Sequence, residues 1–297
     1  MRRWLAFVLI AVLLVGVPAT ARPMAVATCS VKNARTGAIT HTLQAAVNAT
    51  LDRDTLLIKG TCIGKTAIRS KSDYQVLRLK GVPTTEQPTP TLDGGGIGRV
   101  LAVYATTVLR DLTITNGFTT GRGGGIRFTG EGAKLSLKGD TSVTGNTAGY
   151  GGGISAEFSA GFTPVIVMHD SSSVSGNTAG YGGGIYNGWH TGLDIYDSSS
   201  VTGNTAVLGG GIYAFYSFLS LYDSSSVSKN TAGEVGGGIV EAGGSLNLYD
   251  SSSVTGNTAG EVGGGIVNDT GVLYVCSDLV AISPNDPDDP PETLPCP

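Results

Sequence analysis

Apolar and polar residues alternate over short runs along most of this chain. Pairs of apolar residues two positions apart recur between polar or aromatic neighbours, at Leu193 and Ile195, Leu219 and Leu221, and Leu246 and Leu248. A two-residue period is that of a β-strand with one buried face. Glycine triplets and serine runs separate these stretches and exclude stacked helix pairs. The pattern therefore predicts an all-β fold made of many short strands.

Two motifs repeat along the chain. GGGI occupies residues 123–126, 151–154, 182–185, 209–212, 236–239 and 263–266, with its isoleucines 28, 31, 27, 27 and 27 residues apart. A motif of the SVTGNTA type lies between successive copies, at residues 142–148, 173–179, 200–206, 226–232 and 253–259. Three short strands and three turns fit a repeat of about 27 residues, as in one coil of a β-solenoid.

Stacked coils turn each repeat position into a column with a spacing of about 4.8 Å. An apolar column is expected to fill the interior, made of Val143, Val174, Val201, Val227 and Val254. A second column should join its side-chain amides along the axis, made of Asn146, Asn177, Asn204, Asn230 and Asn257. The glycine triplets supply the close backbone approach that a corner needs. These features predict a right-handed parallel β-helix.

The front of the chain differs from the repeats. From Thr42, the stretch TLQAAVNATL places Leu43, Ala46, Val47 and Leu51 at helical spacing, which predicts a short amphipathic helix capping the solenoid. We therefore divide the chain into an N-terminal cap at 22–54, a β-helix at 55–275 and a C-terminal tail at 276–297. The strict repeats fill about 112–272 of the β-helix.

The first 21 residues have the order of a secretory signal peptide. Arg2 and Arg3 precede an apolar run at 4–17, and small residues follow up to Ala21, after which we expect cleavage, with Ala27 as the alternative site. A membrane anchor is the other interpretation, but the run is shorter than the ~20 residues that a span needs. The sequence predicts a secreted or cell-surface protein, with no membrane span in the mature chain.

Four cysteines lie outside the repeats, two near each end of the mature chain. The simplest arrangement in an oxidising compartment is a pair of disulfides, Cys29 with Cys62 and Cys276 with Cys296, although three pairings are formally open. A zinc site is the alternative, but no closely spaced CxxC pair is present.

Charge is distributed unevenly along the chain, although the net charge is only −4. Up to Asp140 there are 18 Lys and Arg against 8 Asp and Glu, whereas the remainder holds Lys229 against 15 acids. In an elongated fold this asymmetry predicts a rod with one positive end and one negative end.

The pairing of GGGI with VxxN resembles the GGA[ILV] and FxxN tandem repeats of the chlamydial polymorphic outer membrane proteins, with Val in place of Phe. Those repeats belong to the right-handed parallel β-helix, or pectin-lyase-like, superfamily, and the resemblance covers roughly residues 110–272. It implies a β-helix whose repeats act in adhesion and surface display. It carries no catalytic residue onto this chain.

Two classes of function follow from the fold, since fold alone does not decide activity. We expect an exported, non-catalytic binding or structural module of the adhesin type, whose partner is an extracellular glycan or protein surface rather than a nucleic acid. The alternative is a polysaccharide lyase or hydrolase, which needs clustered carboxylates and a basic residue. One mixed-charge group could hold such a site, made of Arg99, Arg110, Arg122, Arg127, Asp93 and Asp111.

Two further columns carry functional hypotheses. His169 takes the place of Tyr196, Tyr222 and Tyr249 in later repeats, so we interpret it as a member of an outward aromatic column rather than a catalytic histidine. A flat threonine ladder suits an ice-binding face, which is a third and weaker hypothesis for Thr147, Thr178, Thr205, Thr231 and Thr258.

An acidic column is the candidate binding site. Its members share one position in four repeats and are Asp170, Asp197, Asp223 and Asp250. Two carboxylates about 4.8 Å apart repel by about 0.8 kcal/mol in water and by about 3 kcal/mol at an effective dielectric of 20. Either each Asp caps its own serine turn and points into water, or divalent cations bridge the rungs. We expect no resident cofactor, with weak calcium binding as the alternative.

Overall fold

The computed structural model describes residues 28–69, 76–158, 161, 163–283 and 285–286. The predicted signal peptide and most of the predicted tail lie outside these residues. Among the described residues, no helix is both long and apolar enough to cross a membrane.

The described chain consists of short strands with one short helix. In chain order the first elements are β1 (Ser30–Asn33), β2 (Ile39–Thr40), α1 (Leu43–Asn48), β3 (Thr55–Lys59), β4 (Thr61–Ile63), β5 (Thr66–Ile68), β6 (Val76–Gly81), β7 (Thr91–Asp93), β8 (Leu101–Val103), β9 (Thr106–Arg110), β10 (Thr113–Thr115), β11 (Ile126–Phe128), β12 (Lys134–Lys138), β13 (Ser142–Thr144), β14 (Thr147–Tyr150) and β15 (Ile154–Ala156). The remaining strands are β16 (Val165–Met168), β17 (Ser173–Ser175), β18 (Thr178–Tyr181), β19 (Ile185–Asn187), β20 (Gly192–Ile195), β21 (Ser200–Thr202), β22 (Thr205–Leu208), β23 (Ile212–Leu221), β24 (Ser226–Ser228), β25 (Thr231–Val235), β26 (Ile239–Leu248), β27 (Ser253–Thr255), β28 (Thr258–Ala259), β29 (Ile266–Asp269) and β30 (Val272–Val275).

The strands stack into parallel ladders that run along one axis. Face 1 is the ladder β3-β6-β9-β12-β16-β20-β23-β26-β30, face 2 is β4-β7-β10-β13-β17-β21-β24-β27, and face 3 is β5-β8-β11-β15-β19-β23-β26-β29. A shorter ladder, β14-β18-β22-β25-β28, continues face 2 toward face 3. The described residues thus form a β-solenoid of about 8 turns, which confirms the predicted all-β fold.

Register is kept from coil to coil, as the columns require. Val201 pairs with Val174 on one side and with Val227 on the other, and each of the three is fully buried. Leu219 likewise lies between Leu193 and Leu246 on face 1. The apolar residues of the alternating pattern therefore share a single core that runs the length of the solenoid.

An asparagine ladder runs along the corner where face 2 ends. From Asn177 onward, each Asn Oδ1 accepts two hydrogen bonds from the Asn one coil earlier, one from its backbone N–H and one from its Nδ2. For Asn204, both bonds from Asn177 measure 3.0 Å. The Nδ2 of Asn204 donates to the carbonyl of Val174 and to Oδ1 of Asn230, also at 3.0 Å. The polar atoms of this buried side chain are thereby satisfied, which explains why an amide can occupy the interior.

The glycine triplet next to this ladder is required by close contact between coils. A Cβ added to Gly152 would lie 2.5 Å from the carbonyl oxygen of Thr178 in the next coil. The φ of Gly151 is +60°, in the left-handed region that glycine adopts freely. A side chain at either position would therefore force the coils apart.

A helix is present near the start of the solenoid, where one was expected. Leu43, Ala46 and Val47 are buried on α1, whereas Leu51 lies beyond the helix and is 59% exposed, so its predicted inward position is wrong. The side-chain amide of Gln44 pairs with both backbone groups of Ala67 in β5, at 2.7 and 3.3 Å. The Gln44 amide thus takes the place of hydrogen bonds that another strand would make to β5. The role of α1 as a cap stays a prediction.

Disulfide chemistry agrees with the expected pairing at the front of the chain. Cys29 and Cys62 are bonded, which joins the segment before β1 to β4. Cys276 also forms a disulfide, and its expected partner Cys296 lies outside the described residues.

The described part of the C-terminal tail adds to the last coil. Ala281 and Asp286 form parallel bridges with Ser253 and Thr258. Asn285 extends the asparagine ladder, because its Oδ1 accepts from the N–H and the Nδ2 of Asn257 at 3.0 and 3.1 Å.

The core column predicts a severe effect for Val201→Asp. The new carboxyl would be enclosed between Val174 and Val227 without a partner, and burying an unpaired charge is strongly destabilising. We expect this variant to fail to fold or to lose most of its thermal stability, as followed by circular dichroism. A melting temperature equal to that of the parent would show that Val201 does not face the interior.

The asparagine ladder predicts a large loss for Asn204→Ala. Removing this amide leaves the N–H of Asn177 and the carbonyl of Val174 without these partners, and a buried unpaired group costs about 1–3 kcal/mol. We expect the free energy of unfolding to fall by about 3 kcal/mol or more in urea titrations. Asn247→Ala is the matched control, since the half-buried Asn247 makes a single 3.3 Å contact with Ser220. Equal losses in the two variants would contradict a structural role for the ladder.

Candidate functional site

The structure places the four predicted aspartates in one exposed column at the turn between faces 1 and 2. Each adopts a left-handed backbone conformation, with φ of 62, 58, 54 and 54° for Asp170, Asp197, Asp223 and Asp250. A short polar side chain tolerates this conformation better than most. The first residue of each serine turn is therefore constrained by the backbone as well as by charge.

Each carboxylate of the column is held by the coil before it. Oδ2 of Asp197 accepts the N–H of Asp170 at 2.8 Å, and Oδ2 of Asp223 accepts the N–H of Asp197 at 2.9 Å. Oδ2 of Asp250 accepts the N–H of Asp223 at 3.0 Å. The expectation that each Asp caps its own turn is thus wrong, because the described bonds run to the equivalent residue of the preceding coil. Charge-assisted bonds of this kind offset the repulsion between rungs.

Arg110 and His169 lie against the first rungs of the acidic column. Arg110 contacts Asp170 at 3.3 Å and Asp111 at 3.6 Å, and Asp111 occupies the same position in an earlier coil. Nδ1 of His169 lies 3.5 Å from Oδ2 of Asp197. Arg110 and Asp111 of the predicted mixed-charge group therefore belong to this column.

The predicted aromatic column is present beside the acidic one. His169, Tyr196, Tyr222 and Tyr249 stack in sequence, with ring centroids 5.0, 4.5 and 4.8 Å apart and planes within 14° of parallel. Burial raises the pKa of Tyr196 to about 12, so this hydroxyl stays protonated at neutral pH. These contacts confirm the interpretation of His169 as a member of the stack.

A second polar group forms where the arginines of the N-terminal half meet the start of the strict repeats. Glu157, directly after β15, accepts from Arg122 at 2.9 Å and from Arg127 at 3.4 Å. Arg99 adjoins them and donates through Nε to the carbonyl of Gly123 at 2.7 Å and through Nη2 to that of Arg122. Two guanidinium groups thus contact a single carboxylate and a third lies nearby, which leaves an excess of positive charge.

Burial sets the electrostatics of this group. The pKa of Arg99 is lowered mainly by burial and secondarily by the charge of Arg127. Nε of Arg127 is buried and has no hydrogen-bond partner among the described residues. Arg122 and Arg127 nevertheless keep 45% and 36% of their side-chain surface exposed, so each side chain is partly accessible to solvent.

Four tyrosines continue from the arginines along the corner between the short ladder and face 3. Tyr150 stacks on Tyr181 at 4.9 Å, and Tyr186 stacks on Tyr213 at 5.9 Å. The two pairs meet edge to face at 5.3 and 5.4 Å. This arrangement gives a rigid aromatic platform, because each ring is fixed by a neighbour in its own column and by one in the other column.

Arginine and tyrosine contact each other directly at the junction. The guanidinium carbon of Arg122 lies 5.4 Å from the ring centre of Tyr150 and 5.9 Å from that of Tyr186, within the range of a cation–π interaction. We name the combined surface the basic–aromatic face, made of Arg99, Arg122, Arg127, Glu157, Tyr150, Tyr181, Tyr186 and Tyr213. Asp269 lies near its far end and contributes, after burial, to the raised pKa of Tyr213.

Sequence reasoning found part of this face. The structure brings together Arg99, Arg122 and Arg127 of the predicted mixed-charge group. Asp93 instead accepts from Asn116 and from the N–H of Gly95, in a turn of its own. Glu157 and the tyrosines were missed, although repeat alignment would place Tyr150 over Tyr181 and Tyr186 over Tyr213.

The threonine column of the ice-binding hypothesis also stacks in register. Thr178 pairs with Thr147 and with Thr205 on the short ladder, and all three side chains are exposed. Nothing in the described contacts assigns a ligand to this column, and ice binding stays a prediction.

Comparison with known proteins does not assign the chain to a family. No family model matches the chain, and neither a curated protein nor a solved structure is significantly similar to it.

The acidic column predicts how the protein responds to calcium. Because backbone N–H groups already hold one oxygen of Asp197, Asp223 and Asp250, we expect simple screening of a solvated column. Calcium chloride and sodium chloride at equal ionic strength should then raise the melting temperature equally. The variant with Asp197→Asn and Asp223→Asn should respond to the two salts in the same way.

Weak calcium binding, the alternative prediction, gives a different outcome in this titration. A ligand that binds only the folded state stabilises it beyond screening. Calcium would then raise the melting temperature more than sodium does in the parent, and the double variant would lose most of that difference.

Proposed function

We propose that this protein is an exported, non-catalytic binding module that holds an extracellular acidic glycan on its basic–aromatic face. The observation that carries the proposal is the pairing of Arg122 and Arg127 with Glu157, with Arg99 beside them, next to four stacked tyrosines. The face combines the two kinds of contact that an acidic sugar chain offers, namely anionic groups and apolar ring surfaces.

The arginines supply recognition of the anionic groups. A planar guanidinium matches the geometry of a carboxylate or sulfate and stays charged at neutral pH. Glu157 neutralises part of the cluster and accepts from both Arg122 and Arg127, which fixes their orientation. Both arginines remain partly exposed, so each can contact a ligand without leaving its position.

Tyr150, Tyr181 and Tyr213 are half-buried and supply a surface along which a chain can lie, whereas Tyr186 is buried and packs against Tyr150 and Tyr213. Their rings are held by stacking and edge contacts, so little side-chain entropy is lost when a ligand binds. Tyrosine presents a large apolar area with a polar hydroxyl, a combination that is frequent at binding surfaces. Burial raises the pKa of the half-buried Tyr213, which keeps that hydroxyl protonated as a donor.

Binding is favoured over the alternative, a polysaccharide lyase or hydrolase. Hydrolysis of a glycoside ordinarily needs two carboxyl groups flanking one bond, and the basic–aromatic face contains Glu157 alone. A lyase needs a base, and the arginine with the lowered pKa is Arg99. Two backbone carbonyls accept from the Arg99 guanidinium, which stabilises its protonated, non-basic form.

Export and surface function are part of the same proposal. The signal-like first 21 residues and the Cys29–Cys62 disulfide both suit an oxidising extracellular compartment. The resemblance of the GGGI and VxxN motifs to polymorphic outer membrane protein repeats supports an adhesin-like role within a pectin-lyase-like superfamily. We place the protein in the secreted or cell-surface fraction, with a glycan rather than a nucleic acid as its partner.

The proposal predicts binding of an acidic polymer that depends on the arginines. The mature chain should bind polygalacturonate, measured by calorimetry, and should bind its fully methyl-esterified form more weakly. The variant with Arg122→Gln and Arg127→Gln should lose roughly tenfold or more in affinity, equivalent to about 1.4 kcal/mol. Arg78→Gln is the matched control, because Arg78 is an exposed arginine on face 1.

Other ligands and product assays give outcomes that contradict the proposal. Equal binding by the double variant and the parent would show that the basic–aromatic face is not the site. Binding of single-stranded nucleic acid alone, with neither polygalacturonate nor heparin bound, would exclude an acidic glycan as the partner. Release of unsaturated or reducing sugar, abolished by Arg122→Gln, would show that the protein is an enzyme.

A further inference from the structure

One carboxyl group lies in the interior of the solenoid. Glu241, on β26, pairs in register with Ala214 on one side and with Asn268 on the other, and its side chain is fully buried. Earlier coils place apolar side chains at this position, among them Phe128 and Ala156. Glu241 is therefore an acid in a column whose other members are mostly apolar.

The carboxyl group of Glu241 lacks the partners that a buried charge needs. Neither of its oxygens has a hydrogen-bond partner among the described residues. In contrast, Asn187 in the same column accepts from Thr191 at 2.6 Å and donates to Oγ of Ser217 at 3.0 Å. The interior can satisfy a polar side chain, but it does not do so for an ionised Glu241.

A second unpartnered atom lies beside it. Oδ1 of Asn268 is buried without a hydrogen-bond partner in the described chain, while its Nδ2 donates to the carbonyl of Gly271 at 3.0 Å. Both side chains contact Gly271, since a Cβ built there would lie 2.7 Å from Oδ1 of Asn268 and 2.7 Å from Cγ of Glu241. Two acceptors without a donor thus face the same small space.

A single proton on Glu241 would supply the hydrogen bond that Glu241 and Asn268 both lack. A protonated carboxyl carries one O–H donor, and Oδ1 of Asn268 can accept it. We propose that the folded protein holds a proton on Glu241. The last coils, which contain β29 and β30, are then closed at acidic and neutral pH and loosen at alkaline pH. Deprotonation breaks the O–H bond, leaves its electron pair on the carboxylate and releases the proton to water.

The surroundings of Glu241 agree with this assignment. Burial is the sole cause that raises its pKa, to about 8, and no charged neighbour contributes. The titratable residues on the strands paired with β26 are Tyr213, Tyr216, Asp269 and Tyr274, and each is exposed or half-buried, so none shares the interior with Glu241. Ser217 and Gly244, which lie on the remaining side, do not titrate.

The sign of the pH dependence follows from linkage. The unfolded carboxyl has an ordinary pKa of 4.5, and the folded one has a pKa of about 8. The stabilisation that the proton on Glu241 contributes is fully present below pH 4.5. It is lost as the pH rises to about 8, because the unfolded state releases its proton first. Within that window the unfolding equilibrium constant should rise up to tenfold per pH unit from this group.

Hydrogen exchange of the full mature chain tests the proposal. In the parent, amides of β29 and β30 should lose protection between pH 6 and pH 9 by more than the intrinsic rise in exchange. Glu241→Gln, which keeps the shape without the titration, should show only the intrinsic rise. Glu234→Gln is the matched control, an exposed glutamate in the same coil, and should behave like the parent. The strands β6 and β9 at the other end serve as an internal reference.

Two results would overturn the proposal. The first is a parent and a Glu241→Gln variant that lose protection identically across this pH range. The second comes from carbon-13 NMR of glutamate-labelled parent protein, which needs no folded variant. Every glutamate carboxyl titrating near pH 4 to 5 would contradict a proton held on Glu241, whereas one resonance titrating near pH 8 supports it.

Discussion

In-register stacking of parallel coils is the constraint on which the rest of this structure depends. Every side chain stands over the equivalent residue of the next coil, so each column must tolerate its own copies at strand spacing. Valine does so by packing, tyrosine by stacking, and asparagine by donating to the next amide while accepting from the last. The aspartate column is tolerated because backbone N–H groups of the preceding coil reach all four of its carboxylates. The residue type at each repeat position is thus constrained by the need to pack against copies of itself in the adjacent coils.

The charged residues of the basic–aromatic face lie where the repeat is interrupted. Eight residues separate β15 from β16, whereas four separate β19 from β20, and Glu157 is the first residue of the longer connection. The arginines come from the coils that precede it and have no counterpart in later repeats, so a non-repeated anion meets non-repeated cations at this point. The tyrosine columns then carry the basic–aromatic face into the regular part. In the proposed function, the regular solenoid supplies a rigid platform and the non-repeated residues supply specificity.

Much of the fold could be predicted from the repeats, because periodicity reports which residues form columns. The Asn ladder and the stack of His169 on Tyr196 follow from alignment alone. Other features depend on contacts that no period encodes. The aspartates accept from the coil before them, and predicting this needs the positions of two successive turns along the axis. Asn285 was missed because its IxxN motif lies in a Pro-rich tail. Glu157 and Glu241 were missed because each occurs once, and a non-repeated residue gives no signal in a search for repeats.

The ladder of buried asparagines is the most direct consequence of in-register stacking. NMR can detect it in the deuterated mature chain as scalar couplings across hydrogen bonds, from the side-chain nitrogen of one Asn to the side-chain carbonyl carbon of the next. The account predicts couplings from Asn146 to Asn177, from Asn177 to Asn204, and onward through Asn230 to Asn257. Couplings that skip a rung, or side-chain amides that exchange with water as fast as exposed ones, would contradict the stacked register.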